Sequence, residues 1–143
     1  MRRTFVLLIL ATTACTVGGT DEPTPSPVVC ETRFAAPSGY GPLEPFEVTY
    51  DDHVGVRLDF RDERHREVHV FAGIPGEIGE GLPSAGRVRL TEGRRVLWAV
   101  GRGEVWVVVW NEGDMCDPRA VLVNGLSRRE FVATLAEMGL APS

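Results

Sequence analysis

The chain predicts an α+β fold: an antiparallel sheet of about six or seven strands, laid out as a β-meander, with one C-terminal helix packed on one face. Three observations predict it. Apolar and polar residues alternate with period two in short runs between residues 46 and 123. Glycines punctuate those runs at close intervals, and a single helical stripe follows Ser127. Period-two runs mark strands with one face turned to a core, glycine-centred gaps suit hairpin turns, and a 3.6-residue period marks an amphipathic helix.

Taken in order, the first strand is expected over 46–50. Over 54–60, Val54, Val56, Leu58 and Phe60 alternate with Gly55, Arg57 and Asp59. The charged stretch 61–66 reads as a turn and 67–71 as the return strand. Residues 73–86 are rich in glycine and proline and read as a long loop; ordered loops of that length are often functional. Strands are then expected at 87–90, 94–100, 105–110 and 120–123. The intervening turns are Glu92-Gly93 and Gly101-Arg102-Gly103, and the loop 111–118 carries Cys116. The run Val105-Trp106-Val107-Val108-Val109-Trp110 is apolar on both faces. It is therefore a central strand that is either covered on both sides or keeps one apolar face for a partner.

The helix has the clearest local signals. Ser127-Arg128-Arg129-Glu130 is a capping box, and Leu126 before it can staple onto Phe131. Phe131, Leu135 and Met138 fall at i, i+4 and i+7, with Val132 beside them. Gly139 and Pro142 are expected to end the helix.

The formal charge is −5, and all 15 basic residues are arginine. A net acidic chain without a basic stripe excludes nucleic acid as the expected partner. It also argues against a purely electrostatic hold on anionic lipid.

The N-terminus supplies a different route to a membrane. Arg2 and Arg3 precede a short apolar run from Phe5 to Ala11, and small residues Thr12, Thr13 and Ala14 stand directly before Cys15. A positive start, a short apolar run and small residues are the layout of a secretory signal. The run is far short of the roughly 20 apolar residues a spanning helix needs. With cysteine placed after the small residues, the segment resembles a bacterial lipoprotein signal, although Thr12 stands where that family most often has leucine. The arginine-rich, glutamine-free composition resembles the small lipoproteins of high-GC bacteria, actinobacteria in particular. The resemblance implies that 1–14 are cleaved as a signal peptide and that Cys15 is lipidated, placing the protein at the extracytoplasmic face of the cell membrane. Removal of Arg2 and Arg3 takes the charge from −5 to −7. Residues 15–29 then form a Pro/Thr/Gly tether; its stretch 16–27 reaches about 40 Å when extended. Residues 30–143 form one globular domain.

Cysteine arithmetic agrees. Three cysteines, Cys15, Cys30 and Cys116, leave one unpaired. If lipid takes Cys15, Cys30 and Cys116 remain as an even pair, expected to close as a disulfide in an oxidising compartment.

No motif for catalysis, metal or cofactor emerges. His65-Arg66-Glu67-Val68-His69 lacks the glutamate directly after the first histidine, and on a strand its histidines stand about 13 Å apart. Gly76-Glu77-Ile78-Gly79-Glu80-Gly81 has neither the glycine order of a dinucleotide loop nor a P-loop lysine. Asp51-Asp52-His53 reads as a solvated turn. Trp98, Trp106 and Trp110 are core residues in the plainer reading and an aromatic binding surface in the functional one. The expected function is non-enzymatic: a lipoprotein displayed at the cell envelope that binds an envelope protein or a ligand. An envelope enzyme built from scattered acidic residues, and a purely structural envelope component, are the alternatives.

Cys15→Ser is expected to move the protein from the membrane fraction to the soluble one. Unchanged membrane retention on fractionation overturns the lipid anchor.

Overall fold

A computed structural model describes residues 24–76 and 86–142. The signal-like segment 1–14, Cys15 and the tether up to residue 23 lie outside the described residues, as do 77–85 of the long loop and Ser143. Ten strands and one helix follow in the order β1 (Val28–Val29), β2 (Gly41–Pro42), β3 (Phe46–Thr49), β4 (His53–Arg61), β5 (Glu67–Ala72), β6 (Gly86–Glu92), β7 (Arg95–Arg102), β8 (Val105–Trp110), β9 (Arg119–Asn124), α1 (Arg128–Glu137) and β10 (Ala141–Pro142).

The α+β class and the single C-terminal helix agree with the sequence reading; the strand count does not. Among the described residues the sheet has ten strands, eight of them on its main path β1-β4-β5-β9-β8-β7-β6-β10. The three strands beyond the predicted seven are β1, β2 and β10, each of two residues. Two residues carry no periodicity, so these strands exist only through their partners. β1 also makes the sheet mixed, because it pairs parallel to β4. Pro142, expected only as a helix stop, pairs with Leu90 at the sheet edge, where its missing N–H costs no ladder bond.

The meander is real from β6 to β9. Its last strand, β9, docks against β5 of the β4–β5 hairpin, antiparallel over six residue pairs from Glu67↔Asn124 to Ala72↔Arg119. The two tight turns are Gly93-Arg94 and Gly103-Glu104. Their glycines have φ of 58° and 61°, the positive first position that a Gly-X hairpin turn requires. Gly101 therefore belongs to β7 and not to the expected turn.

Its place in the strand has a packing reason. Gly101 pairs with Trp106 across the β7–β8 ladder. A Cβ on Gly101 would meet the Trp106 indole at 2.4 Å, and one on Gly86 would meet it at 2.9 Å. The indole thus lies across bare backbone, and the Phe131 ring of α1 stacks on it at 5.4 Å and 16°. Around this contact Val68, Val108, Val121, Leu135 and Leu140 form the main core.

The capping box forms as the sequence predicts. Ser127 N–H donates to Glu130 at 3.0 Å, and Glu130 N–H donates to the Ser127 hydroxyl at 3.4 Å. Gly139 follows the helix at φ 94°, and Leu140 N–H returns to the Leu135 carbonyl at 2.8 Å.

Gly101→Ala is expected to lower stability by about 1–3 kcal/mol, because the added methyl forces the indole off the sheet. Urea unfolding checks this; an unchanged midpoint would mean that Trp106 does not lie on Gly101.

Candidate functional site

The three tryptophans do not share a face. Trp106 and Trp110 are 4% and 6% exposed and belong to the core. Phe34 packs edge-on against Trp110 at 5.7 Å. Trp98 is 50% exposed. It sits on β7 between the buried Leu97 and Ala99, so it points to the opposite side of the sheet.

That outer face is the surface the helix leaves uncovered. One registered row crosses six strands: Arg87, Val100, Val107, Leu122, His69 and Asp59. Beside it stand Val96, Trp98 and Val109, 44%, 50% and 42% exposed. The Arg87 guanidinium lies over the Trp98 ring, 5.3 Å from its centre. The apolar part spans β7, β8 and β9. At β4 and β5 it gives way to charges that satisfy one another: Asp59 pairs with Arg57 at 3.0 Å and with His69 at 2.7 Å, while Glu67 pairs with Arg61.

Arg87, Arg89 and Arg102 complete the β6–β7 side. The sequence reading did not single them out. The signal available was the alternation of β6, in which Arg87 and Arg89 flank the core residue Val88.

Two grooves lie elsewhere. One, of roughly 600 Å³, runs between the β4–β5 turn and α1, past Tyr40, Asp62, Arg66 and Glu130. Its main charges bind each other: Arg66 donates to Asp62 at 2.5 Å and to Glu130 at 2.9 Å. The arrangement ties the turn to the helix start. The other, of roughly 590 Å³, is flanked by Arg33, Glu92, Arg94, Arg95 and Glu112, and Glu112 pairs with both Arg33 and Arg95.

Cys30 and Cys116 form a disulfide with Cα atoms 5.5 Å apart. The loop that carries Cys116 is wound around carboxylates. Asp117 accepts from the N–H groups of Glu112, Gly113 and Asp114 at 2.8, 2.6 and 3.1 Å. Burial pushes the Asp117 carboxyl up, and these donors more than offset that, holding it below the ordinary carboxylate range. Buried Arg119 donates to both oxygens of Asp114 at 3.0 Å, a bidentate grip.

His53 packs into the same corner. It is 8% exposed, not part of a solvated turn as expected; only Asp51 and Asp52 before it are exposed. The strand start explains the difference, since β4 begins at His53 and pairs it with Val28. Tyr50 stacks on the ring at 4.7 Å. Nε2 lies 2.7 Å from the Gly73 carbonyl and Nδ1 lies 2.6 Å from Asp52 Oδ1. A carbonyl only accepts, so Nε2 carries hydrogen, and the carboxylate favours hydrogen on Nδ1 as well. Gly73 is held at φ 67° against this cluster, and a Cβ there would meet Cys30 Sγ at 2.5 Å.

Of the residues named from sequence, Cys30 and Cys116 are joined, Trp106 and Trp110 are buried together, and Trp98 stands apart on the outer face. Cys15 lies outside the described residues. Set against known protein families, curated proteins and solved structures, the chain finds no match.

The Asp52 bond first, and the Gly73 carbonyl next, raise the His53 pKa above its ordinary value against the opposing effect of burial. A raised pKa means stabilisation that is complete below the unfolded value of about 6.5 and is lost as pH rises through the folded one. His53→Gln is therefore expected to cost more stability near about pH 5.5 than near about pH 8.5. Urea midpoints of both proteins at the two pH values check this; a gap that stays constant or widens with pH overturns it.

Proposed function

We propose that the chain is a lipid-anchored domain at the extracytoplasmic face of the cell membrane, and that it acts without catalysis, by binding a partner or ligand on the outer sheet face around Trp98. The observation that carries this reading is the exposure of Trp98, Val96 and Val109 together on strands from the middle of the sheet. An exposed tryptophan among aliphatic side chains costs solubility and is characteristic of contact surfaces. The same sheet spends its other two tryptophans in the core, so aromatic residues are not simply overflowing outward.

Anchorage fits this role. Among the described residues no helix is long and apolar enough to cross a membrane; in this reading acylation of Cys15 holds the domain at the membrane. Two acyl chains from a diacylglyceryl group meet the requirement for stable attachment, whereas a single chain binds only marginally. A disulfide agrees with an oxidising, extracytoplasmic setting.

The enzyme alternative would need free acid or base groups in a cleft. In the larger groove Asp62 and Glu130 are both engaged by Arg66, which favours a structural role for them.

Native mass spectrometry of the protein extracted from its own membranes tests the proposal. The wild type is expected to carry a reproducible non-covalent mass beyond the acylated chain, and Trp98→Ala to lose it while unfolding at the same temperature. Retention of the same mass by the folded variant would move the site off this face.

A further inference from the structure

We infer that the outer face of β6 to β9 takes a short acidic peptide segment with apolar side chains, presented by a protein partner. This rests on the reading of that face as the binding surface and adds the chemistry of what it binds.

The charge on this face has one sign. Outward positions on β6 are Arg87, Arg89 and Thr91; those on β7 are Val96, Trp98, Val100 and Arg102. On β8 and β9 they are Val105, Val107, Val109, Ala120, Leu122 and Asn124, of which Val109 and Asn124 are exposed while Val107 and Ala120 are buried. None is acidic, although the chain has 20 acidic residues against 15 basic ones. Elsewhere among the described residues Arg33, Arg57, Arg61, Arg66, Arg95 and Arg119 are held in internal pairs, whereas Arg64, Arg94, Arg128 and Arg129 are not, so it is the grouping of three arginines beside Trp98 that sets this face apart. Arg87, Arg89 and Arg102 make no ion pair among the described residues, so their charge is available to a ligand. Arginine, tryptophan and aliphatic contact with aspartate and glutamate left out is the composition of an interface centre. Guanidinium groups grip carboxylates in a fixed two-point geometry.

Size selects a segment over a broad surface. Four strands about 4.8 Å apart, over some five residues, span roughly 15 by 17 Å, about 250 Å² at most, since Val107 and Ala120 within that span are buried. A stable protein dimer needs about 800 Å² from each partner, and two such faces would also bring like charges together. A bilayer is wider than the molecule and meets its net negative charge as well as the patch. Beyond a screening length of about 8 Å, a segment lying on the face meets mainly the three arginines.

Titration of the folded chain with synthetic peptides, followed by NMR, tests the inference. One peptide is rich in Asp and Glu with interspersed Leu and Phe, and its counterpart replaces the acids by Lys and keeps the apolar residues. The acidic peptide is expected to shift the Trp98 indole and Val109 methyl signals, and to bind at least about tenfold more weakly at high salt. Arg89→Glu and Arg102→Glu, both exposed, are each expected to weaken it about tenfold without changing the unfolding temperature. Equal binding of the lysine peptide, or shifts confined to another face, overturns the inference. Binding to phosphatidylglycerol vesicles but not to the acidic peptide would assign the face to a bilayer instead. Self-association abolished by Trp98→Ala would assign it to a second copy. If Trp98→Ala removes the native bound mass while the acidic peptide does not bind, the binding face stands and only its acidic ligand falls. If the variant keeps that mass, the face itself is the error.

Discussion

One ten-residue helix covers one face of the sheet, and the rest of the molecule follows from that restriction. The contact that fixes it is the Trp106 indole, laid on the bare backbone of Gly101 and Gly86 and roofed by Phe131. It joins β6, β7, β8 and α1 at one point. It also decides parity along β8: with Trp106 inward, Val108 and Trp110 go inward too, and Val107 and Val109 must go outward. A strand apolar on both sides then has one half in the main core and one half on the face away from the helix. Val107 is sheltered, at 2% exposure, and Val109 is not, at 42%.

The opposite end of the molecule is held by different chemistry. There the chain from Cys30 onward is fastened to the 111–118 loop by the disulfide. The loop in turn is shaped by Asp117 accepting three backbone N–H groups and by the Arg119 grip on Asp114. A loop-closing link over 86 residues is worth about 4–5 kcal/mol in the chain-entropy view. Gly73 sits where His53, Cys30 and Cys116 meet: it donates to the Cys116 carbonyl at 2.7 Å and accepts from the histidine. This corner therefore fixes how the chain leaves β5, independently of the core contact around Trp106.

The elements that periodicity can carry were legible in the sequence. The seven strands of four or more residues show either alternation or, in β8, a short run apolar on both faces, and the helix shows both its cap and its stripe. The two-residue strands were not, because β1, β2 and β10 contain Val-Val, Gly-Pro and Ala-Pro, which promise nothing until β4 or β6 is beside them. The faces of the tryptophans depended on a single turn. A turn over 101–103 pairs residue 100 with 104 and sets Trp98 opposite Trp106, on one face. The observed two-residue turn pairs Val100 with Val107, and that odd shift sends Trp98 to the other side. Glycine at 101 suits a turn by propensity, whereas its use is to leave room for an indole that arrives from the next strand. His53 is hidden in the same way, since its neighbours Asp51 and Asp52 look solvated, and it is the β1 pairing, the Tyr50 stack and the Gly73 contact that bury it.

The outer face carries the functional argument because its composition has no structural motive. A sheet face turned to water is ordinarily polar and alternates sign along and across strands, since opposite charges side by side stabilise and apolar exposure invites association. The β4–β5 half follows that rule, with Arg57, Asp59, His69, Glu67 and Arg61 paired among themselves. The β6–β9 half of the same face departs from it, with Arg87, Arg89 and Arg102 paired to no carboxylate among the described residues beside an open tryptophan. Arg87 over Trp98 stabilises the ring in place, but Arg89 and Arg102 receive no such return within the described chain. Two halves of one face, under the same solvent and the same fold, differ in whether their charges are answered internally. The unanswered half is where an external group of opposite charge gains most by binding.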